Sequence, residues 1–146
     1  MADRSGDVRL VPTLAVHRSG LLLLAGLPAA AEREARRAVQ AALRISDRYL
    51  ESVAQWNLAE SLDAVGDLHG ALACRQSEQD VLVELVNDVN LSRCLAHQAS
   101  LLHRLGRRRD AFQKAAEARR IAIRIGGGRL IADVEAQLAR IGAATL

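Results

Sequence analysis

Aromatic residues are almost missing from this chain: one Trp, one Tyr and one Phe in 146 residues. Strand-rich proteins draw on aromatic and β-branched residues, and proteins that hold single-stranded nucleic acid stack its bases on aromatic rings, so both classes lose their usual material. Proline is nearly as scarce: Pro12 and Pro28 both lie near the start, and the chain beyond them carries none of the strongest helix breakers. Two cysteines, Cys74 and Cys94, make no disulfide framework and fit a reduced, cytoplasmic protein. Long apolar runs are missing too. The segment 17–31, HRSGLLLLAGLPAAA, imitates a secretory signal with its arginine, short apolar run and alanine tail. It is too short to span a membrane, Asp3 and Asp7 sit badly in a signal's leading region, and a repeat register accounts better for the same residues. What remains is a chain of one domain's length that is half hydrophobic, chiefly alanine and leucine, a composition suited to helices. Its formal charge of +3 is mild for a dedicated nucleic-acid binder.

The repeat shows first in the glycines. Gly26, Gly66 and Gly106 stand 40 residues apart, and each closes an apolar stretch, LLLLAG, LDAVG and LHRLG. A glycine just past a periodic segment is the usual left-handed residue that ends a helix, and Pro28 and Asp67 suit the start of the next one. Other columns share the period. Ala31, Ala71 and Ala111 follow the glycines by five residues, and Leu22, Leu62 and Leu102 precede them by four. Ser19, Ala59, Ala99 and Ala139 form a column of small residues, and Ile45, Leu85 and Ile125 align late in each unit. Small residues recur where helices approach closely, and large aliphatic ones where they interdigitate. The pattern predicts inner helices over 12–25, 48–65, 90–105 and 129–142 and outer helices over 28–46, 68–86 and 108–125. The last inner helix, with one apolar stripe of Leu130, Ile131, Val134, Leu138 and Ile141, is predicted to be a cap. Residues 1–11 are read as a flexible N-terminal segment, and 12–146 as one helical repeat domain with units 12–46, 48–86 and 90–125 before the cap helix.

Leu58 to Ala71, LAESLDAVGDLHGA, resembles the core of a tetratricopeptide (TPR) unit: a Leu–small pair, a large residue three on, then Gly-Asp and an alanine. The period is longer than the usual ~34 residues, so the chain looks closer to the long-repeat variants of motor-protein light chains and bacterial regulators. The resemblance implies an all-α, right-handed α-solenoid of antiparallel helix pairs, about three units plus the C-terminal cap. It also implies a concave groove, lined by the inner helices, that holds a peptide or partner helix. Carried over by position, the second unit would show Val53, Trp56, Asn57, Glu60 and Asp63 there, and the third Arg93, Ala96, His97, Ser100 and Arg104. Trp56 is either a groove anchor or a filler between neighbouring helices. Asn57, Arg93 and His97 fall where some TPR domains clamp a partner's C-terminal carboxylate, although the first unit offers only Val16 and Gly20 at the matching places; a generic polar groove is the plainer reading.

Charge is unevenly placed. From 47 to 88 nine acids face two arginines, and from 107 to 129 eight bases face two acids. This polarity suits head-to-tail homo-oligomers, or an acidic partner or nucleic acid at the basic end. The preferred reading is intramolecular: Glu78, Asp80 and Glu84 of one outer helix facing Lys114, Arg119, Arg120 and Arg124 of the next. Signs of chemistry are sparse. The stretch Gly126-Gly127-Gly128-Arg129 lacks the Lys-Ser/Thr of a phosphate loop and reads as a linker. Cys94 and His97 lie one helical turn apart without the further ligands that zinc requires. The sequence therefore points to a non-catalytic protein-interaction module without metal or cofactor: a scaffold, adaptor or regulatory sensor with a protein or peptide partner and no membrane. The alternatives are an accessory subunit of an enzyme, or of a transcription-regulatory system, acting through the basic C-terminal unit; direct nucleic-acid binding is disfavoured by the lack of a helix-turn-helix outside the repeat.

Overall fold

The computed structural model describes residues 4–142, and among them every regular element is helical. The helices are α1 (Arg4–Leu24), α2 (Pro28–Arg44), α3 (Arg48–Ala64), α4 (Leu68–Glu84), α5 (Asp88–Arg104), α6 (Arg108–Ile125) and α7 (Gly128–Gly142). The chain divides into two compact bodies, Met1–Val81 and Leu82–Leu146, with the division inside α4. In the first body α1, α2 and α3 pack against one another. In the second, α5 packs against both α6 and α7, and α6 packs against α7.

The turns explain the register. Gly26, Gly66 and Gly106 have φ of 74°, 86° and 79°, the left-handed conformation expected of them. Midway between them Ser46 and Val86 also take positive φ, 54° each, and Gly126 continues the series at 80°. Left-handed residues thus punctuate the chain every 20 residues from 26 to 126. Five of these turns share one pattern: the left-handed residue's N–H donates back three residues and the next N–H donates back five, as in Gly66 to Asp63 and Asp67 to Leu62. This is the Schellman arrangement, which satisfies carbonyls that the helix end orphans. The residue after the turn often caps the following helix, the side chains of Asp47, Asp67 and Asn87 accepting from the backbone N–H of Leu50, Gly70 and Asn90.

Two expectations are corrected. The first helix begins at Arg4, eight residues before the expected start at 12, and encloses Pro12. The proline ring is fully buried, in the column that holds the buried Ser52 and Ser92 in later repeats, so packing offsets the lost backbone bond. Arg9 of this added stretch is tied to Asp47 at 2.8 Å. Residues 4–11 of the segment expected to be flexible are thus helical, and residues 1–3 lie outside the described range. The second correction concerns Ile45, Leu85 and Ile125, expected to interdigitate. They lie in the last residues before the turns, where Leu85 and Ile125 are exposed and Ile45 is half-buried. The alanine column is buried as expected, with Ala31, Ala71 and Ala111 all closed to solvent. Residues 17–31, which imitate a signal segment, form the end of α1, the turn at Gly26 and the start of α2. Among the described residues no helix is long and apolar enough to cross a membrane.

Candidate functional site

On α3 the predicted groove residues divide between access and structure. Val53, Trp56, Asn57, Glu60 and Asp63 are all half-buried. The Asn57 amide is engaged: its Nδ2 donates to the Val16 carbonyl at 3.0 Å and to Ser19 Oγ at 2.8 Å, stitching α3 to α1. Both amide protons are spent there, which leaves none to donate to an incoming carboxylate. Trp56 carries the guanidinium of Arg75 over its ring, 4.2 Å from the centroid. Arg75, on α4, is itself buried and hydrogen-bonds Glu60 on α3 and the buried Glu78 one turn along α4, the latter at 3.0 Å. Sequence reasoning missed Arg75 altogether and took Glu78 for a surface acid. No sequence signal marks a buried Arg–Glu pair, since the same i, i+3 spacing serves surface pairs equally well.

In the second body, α5 is flanked by α6 and α7, and little of it stays open. Ala96 and Ser100, expected in the groove, are buried, because packing on two sides closes all but a narrow face of the helix. Arg93 and His97 are half-buried on that face, and Arg104 is exposed at the helix end. Arg93 donates to Asn90 Oδ1 at 3.3 Å and to Asp133 Oδ2 of α7 at 3.0 Å. Asn57 and Arg93 are thus both engaged within the molecule, Asn57 with both amide protons and Arg93 with part of its guanidinium.

The two cysteines are free thiols. Cys94 is buried and accepts from Gln98 Nε2 at 3.6 Å. Burial pushes the Cys74 thiol upward, against the opposing pull of the Arg36 and Arg75 charges, so it is a poor nucleophile near neutral pH. Among the described residues no group of three or more His, Cys, Asp or Glu side chains could hold a metal ion. The basic stretch is also partly neutralised at home: Arg119 meets Glu135, Arg124 meets Asp88 and Arg107 meets Asp110. The partners of Arg119 and Arg124 thus include neighbours outside the acidic set that the sequence suggested.

One feature of the odd-numbered helices repeats. Two columns stay at least partly open on each: Thr13 and His17 on α1, Val53 and Asn57 on α3, Arg93 and His97 on α5, and Asp133 and Gln137 on α7. Compared with models of known protein families and with curated proteins, the chain matches none.

Proposed function

We propose that the chain is a non-catalytic protein-interaction module: a right-handed α-solenoid of TPR type, with three helix pairs and the cap helix α7, serving as scaffold, adaptor or regulatory sensor. Its ligand would be a peptide or partner helix laid against the inner helices. The observation that carries this reading is the repeated pair of open columns. Each inner helix offers the same two positions, and the chemistry changes at every step: hydroxyl and imidazole, aliphatic and amide, guanidinium and imidazole, carboxylate and amide. Positions that recur from helix to helix within each body, with varied side chains, suit recognition of side chains along a bound segment. Trp56, half-buried with the Arg75 guanidinium over its ring, would be a pre-set anchor, and an anchor held beforehand loses little entropy on binding.

A photo-crosslinking amino acid placed at Val53 or at His97 in the native cell tests this reading. We expect the same protein to be captured from both positions and not from Ala73, which is exposed on α4. Arg93→Glu is then expected to weaken the purified complex about tenfold or more. Equal capture from Ala73, or full affinity in the Arg93→Glu and Trp56→Ala variants, would refute it.

A further inference from the structure

The second body carries an apolar face on two helices that the inner-helix reading does not use. On α6 Phe112, Ala116, Arg119 and Ile123 follow the i, i+4, i+7, i+11 spacing of a single stripe. Phe112 and Ile123 are 68% and 64% exposed, although they are large and apolar. On α7 Ala132, Glu135 and Ala139 form a stripe at i, i+3, i+7, and both alanines are exposed. Arg119 and Glu135 join the two stripes: the guanidinium grips the carboxylate at both oxygens, at 2.6 and 3.0 Å. The stripes therefore lie side by side as one surface, with a self-satisfied ion pair across its middle. Towards the start of α6 the surface dips into an open, apolar-walled depression of about 510 Å³ lined by Arg108, Arg109, Phe112, Gln113 and Ala116.

What fits this surface can be argued from its precedent and its rim. On α5 the residues in the columns of Ala132 and Ala139 are Ser92 and Ala99, and both are wholly buried in a helix that packs against two others. The same small-residue surface is thus helix-covered on α5 and, among the described residues, exposed on α7. The rim is cationic: Arg108, Arg109 and Arg120 are exposed and, among the described residues, make no ion pair. We infer that this face of α6 and α7 docks an acidic amphipathic helix of a partner protein, its apolar stripe on Phe112 and Ile123 and its carboxylates against the three arginines. The depression beside Phe112 and Ala116 can take an inserted apolar side chain, and charge complementarity selects acidic partners over neutral ones.

The test uses the whole chain and a synthetic helical peptide of about 17 residues, long enough to run beside the stripe. It carries leucines along one face and glutamates on both flanks, and its control carries lysines instead. Binding is read by fluorescence anisotropy at low and moderate salt. The acidic peptide is expected to bind and the lysine peptide not. Phe112→Ser should weaken binding about tenfold or more, Phe112→Leu should largely restore it, and joint replacement of Arg108, Arg109 and Arg120 by glutamate should abolish it. The mutated positions are exposed, so circular dichroism should be unchanged, and His97→Glu on the inner face should leave this binding intact. Failure of the inner-helix reading would thus leave the inference standing, and the reverse holds too. Equal binding of the two peptides, no binding, or indifference to Phe112→Ser overturns it. So does a dimer in light scattering that Phe112→Ser dissolves, which would make the occupant a second copy, or capture by phosphatidylserine vesicles alone, which would make it a membrane.

Discussion

At mid-helix in α2 and α6 two buried columns hold alanine: Ala35 and Ala38 in the first, Ala115 and Ala118 in the second. In α4 the same columns hold Arg75 and Glu78, equally buried. The inner helices differ in the same repeat. Where α1 and α5 have Val16 and Ala96, α3 has Trp56, and where they have Gly20 and Ser100, it has Glu60. One repeat thus replaces four smaller residues with a connected set of Trp, Arg and two Glu, while the second body, among the described residues, buries no charged side chain and has an apolar cluster around Leu82, Leu95, Ile121 and Val134. The backbone register is the same in both places, so the helical frame tolerates either chemistry. The consequence is a difference in what each core resists. An aliphatic core loses stability in proportion to volume removed, whereas a buried ionic set is sensitive to the loss of any one partner.

Arg75→Ala should therefore be the most damaging single change, costing about 3–5 kcal/mol, because it removes the buried cation that Glu78 and Glu60 both bond. The double variant Arg75→Ala with Glu78→Ala recreates the alanine pair of the neighbouring repeats and should recover a large part of that loss. Urea unfolding of the three proteins decides the matter. A double variant as unstable as the single one would mean that volume, not charge, sets the cost in this repeat. In the second body Leu95→Ala, at a fully buried aliphatic site, is expected to cost about 2–5 kcal/mol from transfer and cavity terms. Its effect should not change with salt. A marked salt dependence would end the contrast between the two cores.

The frame was largely legible in the sequence, and the contrast was not. Six of the seven expected helices start and end within two residues of the observed ones, because glycine at 26, 66 and 106 and the alanine and leucine columns report backbone geometry directly. The breaks after 46 and 86 were expected, but their left-handed residues were not, because neither Ser46 nor Val86 is of a type that signals that conformation; the capping residues Asp47 and Asn87, also 40 residues apart, were the available clue. Of the candidate site, the accessible positions Val53, Arg93 and His97 follow from helical register. The inward turn of Ser100 and the spent amide of Asn57 depend on which neighbours pack on α5 and α3, and one-dimensional periodicity does not carry that. The turns themselves offer a smaller test. Val86 is 79% exposed and β-branched at φ 54°, where a side chain strains the backbone, so Val86→Gly should stabilise by about 1 kcal/mol. Gly66→Val should destabilise by a similar amount through the backbone alone, since a Cβ at Gly66 meets nothing within 4 Å. Opposite signs in thermal unfolding would confirm that the two kinds of turn are equivalent; a neutral Val86→Gly would separate them.

The smallest effect separates buried from exposed ion pairs. Arg119 and Glu135 have good bidentate geometry but are each nearly half exposed, in contrast to Arg75 and Glu78. The hydrogen bond and charge of Arg119 hold the Glu135 carboxyl below its ordinary range, while partial burial opposes them, and the same bond raises Arg119. A carboxylate whose folded value is depressed contributes stability above the unfolded value of about 4.3, and that contribution disappears as pH falls through the folded value. Solvent screening limits its size, so a double-mutant cycle with Arg119→Ala and Glu135→Ala should return about 0.2–1 kcal/mol at neutral pH. The coupling should shrink as the pH is lowered below about 4 and also as salt is added. A coupling as large as that lost on Arg75→Ala would show that exposure does not decide which ion pairs matter in this chain. It would also make the floor of the α6–α7 face a rigid element in its own right.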